Sequence, residues 1–311
     1  MAITTSALPD QATGMRLAMA AYPNPVQPLP VNEQVSSGWQ DVTAVVSGLS
    51  NGYGDQRNSS GTLENRFVVA VNTDTKQVVI SFKGSDALSN WTSDLANAGA
   101  SEYLKIAGQA QAVYDQLTSD PTLSGYTFST AGHSLGGAMA QMFALKNNLD
   151  TQVYNSLPIA SAIVASGYFG STDIGSVIAA WQANGHVVSD VRTANDIATF
   201  FYQAPGWGPY LSQTTGQAIT YLPGAHLPDA LKTVALTGLL PLSLPAFGLD
   251  HTMGSLFGAS VGLSIDKSTG KFIIPAGQGA IVKSGVRGSG GMIRRPALEE
   301  PVCFQSPECR P

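Results

Sequence analysis

The chain has 311 residues, of which 43% are hydrophobic and only 12% charged, so a large core is available and the surface leans on Ser, Thr, Asn and Gln. A net charge of −5 with no basic run argues against a nucleic-acid partner. The only cysteines, Cys303 and Cys309, both lie in the last nine residues, so the body of the fold owes nothing to disulfides.

Near the N-terminus one helix is expected over 11–21, closed by Pro23 and Pro25. The first forty residues lack a cationic start followed by an apolar stretch, so no ordinary secretory signal is read. Two apolar runs, 67–72 and 77–83, are separated by Thr73-Asp74-Thr75-Lys76, which predicts a hairpin. A polar and aromatic loop over 86–95 leads to a helix over 101–117, with Tyr103, Ile106, Ala110, Val113 and Leu117 on one face.

The chain then changes period within 126–145. Tyr126, Phe128 and Thr130 alternate as in a buried strand, whereas Met139, Met142, Phe143 and Leu145 recur at helical spacing. Gly132-His133-Ser134-Leu135-Gly136 lies between them, a G-x-S-x-G in the strand-turn-helix context of a nucleophile elbow. Such a turn lifts the serine hydroxyl clear of the backbone at the start of a helix, where unpaired N–H groups favour a developing oxyanion.

Further on, a short run at 153–157, a helix over 172–181 and a strand over 186–192 continue the alternation, so parallel strands joined by crossovers are expected. A helix over 228–239 follows. The apolar region 234–249 is interrupted by Pro241 and Pro245 and is too short to span a bilayer, so no transmembrane helix is read. A terminal hairpin is expected over 263–274. One domain is thus expected over 1–283, and residues 284–311, rich in Gly, Ser, Arg and Pro, are expected to form a disordered tail.

A serine hydroxyl is a weak nucleophile at neutral pH, so it requires a histidine base and a carboxylate to orient that base. His133 adjoins Ser134 and is expected to pack or hydrogen-bond beneath the turn; His186 starts a strand. The order serine, acid, histidine leaves His226 and His251 as bases. Asp196, just past the strand over 186–192, is the favoured acid, since Asp190 lies inside that strand and Asp173 begins a helix as its N-cap. The cysteine and histidine counts leave no zinc cluster, and no cofactor is called for.

These residues carry a resemblance to the class 3, fungal-type lipase family of α/β-hydrolases. Val79-Ile80-Ser81-Phe82-Lys83-Gly84-Ser85 resembles the family's strand ending in Arg-Gly-Ser/Thr. Asn90-Trp91-Thr92-Ser93-Asp94-Leu95 resembles its Asp/Asn-Trp-x-x-Asp-Leu continuation, and Gly132 to Gly137 matches its elbow at every position. Asn195-Asp196-Ile197 resembles the region of its acid.

The resemblance implies an α/β-hydrolase fold, a mostly parallel central sheet flanked by helices. It also implies Ser134 as nucleophile, Asp196 as acid, and Ser85 with the Leu135 N–H as the oxyanion hole. The family's spacing of some fifty residues between acid and histidine favours His251 over His226. The loop over 86–95, with Leu88 and Trp91 on one side, becomes a candidate lid. The pattern is closer to bacterial secreted members, which implies export by a route without a recognisable signal, with a cytoplasmic location as the alternative.

Lys83 in place of arginine, and Tyr154-Asn155-Ser156-Leu157-Pro158 in place of Thr-Phe-Gly-x-Pro, bear on substrate class. The expected activity is hydrolysis of acylglycerol esters, at a lipid–water interface if the lid operates. Phospholipase A1 and small-ester or feruloyl esterase are the alternatives, and an inactive hydrolase fold serving as a binding module is the reading from another class.

Overall fold

The computed structural model describes residues 8–22, 38–41, 54–57, 63–85, 99–193, 196, 208–222, 264–265 and 272–273. In chain order the first elements are α1 (Gln11–Ala20), β1 (Trp39–Asp41), β2 (Gly54–Arg57), β3 (Leu63–Asn72) and β4 (Gln77–Phe82). Next come α2 (Ala100–Ser119), β5 (Thr127–His133), α3 (Leu135–Asn147) and β6 (Asp150–Tyr154). They are followed by α4 (Ser161–Ala165), α5 (Ile174–Ala183), β7 (Val188–Thr193), α6 (Leu211–Thr215) and β8 (Ile219–Leu222). The hairpin expected over 263–274 is present as β9 (Ser264–Ile265) paired antiparallel with β10 (Phe272–Ile273).

One mixed sheet in the order β1-β3-β4-β5-β6-β7-β8, with β2 also on β3, organises the described residues. Strands β4 to β8 run parallel, each next to its neighbour in sequence, while β1, β2 and β4 pair antiparallel with β3. This is the mostly parallel α/β sheet that the alternation of apolar runs predicts, and it is the architecture that the resemblance to the α/β-hydrolases implies. The β3–β4 hairpin closes where Asn72 Oδ1 accepts the Asp74 and Thr75 N–H groups at 3.0 and 3.1 Å, an Asx turn that substitutes a side chain for a backbone turn bond.

Because successive strand side chains point to opposite faces, the sheet divides its core in two. Phe67, Val69 and Val71 of β3 and Val78, Ile80 and Phe82 of β4 share one face with α2, α3 and α5. Ala70, Val79, Ala131, Tyr154 and Val191 turn to the other face, where α1 lays Met15, Leu17, Ala18 and Met19 against them. Helix α3 is buried from Leu135 to Leu145, as expected of a helix apolar on all sides. Its Phe143 packs against the Phe82 and Tyr114 rings at 5.5 and 5.9 Å, a contact whose loss costs about 3–5 kcal/mol when such a residue is cut to alanine.

Several boundaries differ from the sequence reading. Helix α3 starts at Leu135, earlier than its apolar periodicity, because the turn at Ser134 feeds directly into it. Strand β6 spans 150–154 and not 153–157, since the chain turns at Asn155 with φ 41°. The strand expected from His186 begins at Val188, after His186 is drawn to Asp150 Oδ1 at 3.2 Å and stacks beside Trp181. No described helix is long and apolar enough to cross a membrane. The helix expected over 228–239 and the tail over 284–311 lie outside the described residues.

Candidate active site

The parallel arrangement brings the C-terminal ends of β4, β5, β6 and β7 to one edge, where open α/β sheets present their binding residues. Ser134 stands at that edge between β5 and α3, with φ 57° and ψ −127°. This combination costs a non-glycine residue about 1–3 kcal/mol, so the surrounding contacts must over-determine it. Its N–H donates to the Tyr154 carbonyl at 3.1 Å, and its carbonyl accepts from the Gly137 and Leu157 N–H groups at 3.0 and 3.1 Å. The Ser134 side chain makes no capping hydrogen bond to the helix it begins.

Two glycines make the turn sterically possible. A Cβ on Gly132 would run into the Gly136 carbonyl, and one on Gly136 would run into the Phe82 carbonyl of the neighbouring strand. The turn is thereby held tight against the end of β4. Since Phe82 pairs in register with Gly132, the Lys83-Gly84-Ser85 segment continues beside His133 and Ser134. Ser85 is half-buried. Lys83 is buried and donates from Nζ to the Gly84 carbonyl at 3.0 Å, the place where the sequence departs from arginine. Leu135 opens α3, so its N–H is among those at the helix start that have no intrahelical acceptor.

Asp196 is fully buried, with its N–H donating to the Thr193 carbonyl at 3.1 Å just beyond β7. Strand β6 separates β5 from β7, so at a strand spacing of about 4.8 Å the ends carrying Ser134 and Asp196 stand roughly 10 Å apart. Asn155 links these ends: its Oδ1 accepts the Thr193 N–H at 2.8 Å and its own N–H donates to the Val191 carbonyl at 2.9 Å. Under Asp196, Arg192 donates to both Asp190 oxygens at 2.9 Å, Ser212 donates to Asp190 at 2.6 Å, and the Arg192 guanidinium lies over the Tyr210 ring. Burial opposes the Arg192 charge, but Asp190 and Tyr210 outweigh it and hold its pKa above the ordinary arginine value. Burial pushes the Tyr210 phenol up, Arg192 works against that shift, and the Asp196 charge adds to it.

The structure therefore gathers Ser85, Ser134 and Leu135 in one place and sets Asp196 at the same edge. The other carboxylates have different partners, Asp190 being bound by Arg192 and Ser212, and Asp173 capping α5 through the Gly175 N–H at 2.9 Å. His133 lies beneath the turn with Nδ1 2.8 Å from the Tyr22 hydroxyl, and His186 sits before β7, at the opposite edge of the sheet. His226, His251, Leu88, Trp91 and the apolar region 234–249 lie outside the described residues. Tyr22 is a neighbour of the site that the sequence does not announce, because its partners His133 and Gly84 are 111 and 62 positions away.

Similarity to solved structures is broad and distant. A lipase from Rhizopus microsporus var. chinensis is 15% identical and superposes with a TM-score of 0.44, over 65% of this chain and 72% of that one. Lipase II from Rhizopus niveus is 18% identical with a TM-score of 0.41, over 64% and 76%. Lip2 lipase from Yarrowia lipolytica is 16% identical with a TM-score of 0.40, over 70% and 80%. No curated protein sequence matches the chain. The model of one family, phospholipase-like and described as the Tle-like phospholipase domain, matches residues 15–235, which takes in the elbow, the end of β4 and Asp196. On that match the chain belongs to the Tle-like phospholipase domain family and is a lipid-directed carboxylic ester hydrolase on an α/β-hydrolase fold.

Proposed function

We propose that the protein cleaves an acyl ester of a glycerophospholipid through an acyl-enzyme formed on Ser134. The observation that carries the reading is the strained Ser134 turn, pressed by Gly132 and Gly136 against the strand end that leads to Ser85. In this scheme His251 takes the Ser134 proton as Oγ attacks the ester carbonyl, and Asp196 orients the imidazole. The carbonyl oxygen gains charge and is held by Ser85 and the Leu135 N–H, at the positive end of α3. The tetrahedral intermediate collapses, the alcohol leaves with the proton from His251, and water activated by the same histidine releases the fatty acid.

The phospholipid comes first because the family model is described as a phospholipase. Acylglycerol is the second reading, supported by the likeness of the β4 and elbow motifs to the class 3 lipases. Leu88 and Trp91 belong to the proposal as apolar residues of a lid that opens at a lipid surface. Export from the cell belongs to it as well, and fractionation of the producing cells tests that part. Hydrolysis is measured on phosphatidylcholine vesicles, on a triacylglycerol emulsion and on p-nitrophenyl esters from C2 to C16. Fatty-acid release from the vesicles at a higher kcat/KM than from the emulsion is expected. Release only from C2 to C4 esters would leave a small-ester carboxylesterase.

A further inference from the structure

We propose that the Tyr22 hydroxyl is a positioning group for the reaction, tying the nucleophile turn to the loop that carries the oxyanion residue; this rests on reading Ser134 as nucleophile and Ser85 as oxyanion donor. Tyr22 is buried at the end of α1, a helix that covers the face of the sheet away from α3. Its oxygen accepts the Gly84 N–H at 3.1 Å and lies 2.8 Å from His133 Nδ1. Gly84 immediately precedes Ser85, and His133 immediately precedes Ser134. The parallel register of β4 on β5 ends at Phe82 and Gly132, so the phenol bridges the two segments just beyond their last paired row.

The fit around the bridge is close. A Cβ on Gly84 would lie 2.5 Å from both the Tyr22 oxygen and the His133 carbonyl, and 3.1 Å from Ser134 Cβ. The start of the helix that leads to Tyr22 is fastened to β6. Gln152 donates to the Pro9 carbonyl at 2.7 Å and the Tyr154 hydroxyl donates to the Gln11 carbonyl at 3.0 Å, while the Tyr154 carbonyl accepts the Ser134 N–H. The helix that delivers the phenol is thus fastened to the residue that fastens the nucleophile. A shift of about 1 Å in a reacting geometry costs on the order of a hundredfold in rate, so a bridge of this kind acts on kcat while leaving substrate binding alone.

Tyr22→Phe removes one oxygen and keeps the ring. It is compared with wild type, His133→Ala and Ser134→Ala on a soluble p-nitrophenyl ester, with active sites titrated by a p-nitrophenyl phosphonate and folding followed by thermal melting. The expected result is a cooperative melt, kcat per titrated site lowered by about tenfold to a hundredfold, and KM within about twofold of wild type. Wild-type kcat per titrated site overturns the proposal, as does a loss of activity that only follows the number of titratable sites. Should Tyr22→Phe fail to fold, His133→Ala breaks the bridge from its other end, and the same criteria apply; failure of both to fold assigns the bridge to stability and overturns the proposal. If Ser134→Ala retains a tenth of the wild-type rate, the nucleophile assignment fails. If Ser134→Ala is inactive while Tyr22→Phe turns over normally, only the bridge fails.

Discussion

Arg192 and Asp190, two residues apart on β7 and therefore on one face of it, meet through two hydrogen bonds of 2.9 Å in surroundings that exclude solvent from both. A buried pair contributes little net stability, yet removing one partner strands a charge, at a cost of about 3–5 kcal/mol. Asp190→Ala is therefore expected to lower the unfolding free energy by that amount, measured by urea denaturation. The double variant Asp190→Leu with Arg192→Met is expected to be more stable than Asp190→Ala. A double variant as unstable as the sum of its singles would show that the two groups are not coupled.

The Ser134 turn separates stability from catalysis. Ser134→Ala keeps a Cβ at φ 57° and is expected to fold as wild type does while kcat falls by several orders of magnitude. Ser134→Gly is expected to be equally inactive but more stable than Ser134→Ala, because glycine escapes about 1–3 kcal/mol of strain while losing up to about 1 kcal/mol through its freer unfolded chain. Equal melting temperatures for the two variants would mean that the turn holds no more strain than the roughly 1 kcal/mol that glycine's freer unfolded chain offsets.

Ser85→Ala tests the oxyanion assignment. Loss of one donor costs about 10²–10³ in kcat, softened here because the Ser85 N–H survives the substitution. The expected outcome is a lower kcat with little change in KM. An effect confined to KM would instead make Ser85 a uniform binder of substrate.

The two histidines beyond Asp196 are told apart by kinetics. His251→Ala is expected to be as damaging as Ser134→Ala, with little added loss when the two are combined, since members of a triad act as a unit. His226→Ala is expected to cost under about tenfold, less than a general base supplies. An exchange of these outcomes would hand the base to His226.

Alkaline pH should unfold the protein. Burial raises the Tyr154 phenol well above its ordinary value of 10.0, with Asp10 adding to the shift, and burial does the same for Tyr103 beside Tyr168. Above that ordinary value the unfolded chain loses phenolic protons that the folded chain retains, so stability is full below about pH 10 and falls as pH rises, by about 1.4 kcal/mol per pH unit for each such phenol. Urea midpoints between pH 9 and 11.5 measure the slope. Tyr154→Phe is expected to flatten it, at the cost of about 1 kcal/mol for the lost bond to Gln11. An unchanged slope would exclude Tyr154 as a contributor.

The sequence made the elbow legible because its chemistry is written on adjacent residues, and the β3–β4 hairpin legible because Asn72 and the turn that it closes are local. Strand β6 was harder to place, since Val153 and Leu157 look like one apolar run until Asn155 turns the chain between them. The five-residue helices α4 and α6 and the four-residue β8 are too short for a period to emerge. Tyr22, Ser212 and Asn155 escaped for another reason: each meets its partners only after the strands have been brought together. Of the predicted site residues, Ser85, Ser134, Leu135 and Asp196 fall at one sheet edge, whereas His251, Leu88 and Trp91 lie outside the described residues.

The dependence of α1 on β6 also sets an order of events during synthesis. Gln152 reaches the Pro9 carbonyl across 143 positions, so a chain growing from its N-terminus exposes Met15, Leu17 and Met19 long before the surface that will cover them exists. Closing so long a loop is slow, and an uncovered apolar helix is a target for aggregation while it waits. Helix α1 is made before the strands whose residues cover it, with Val79 on β4, Ala131 on β5 and Tyr154 on β6, so its docking is a long-range step that is completed only when β6 has joined the sheet.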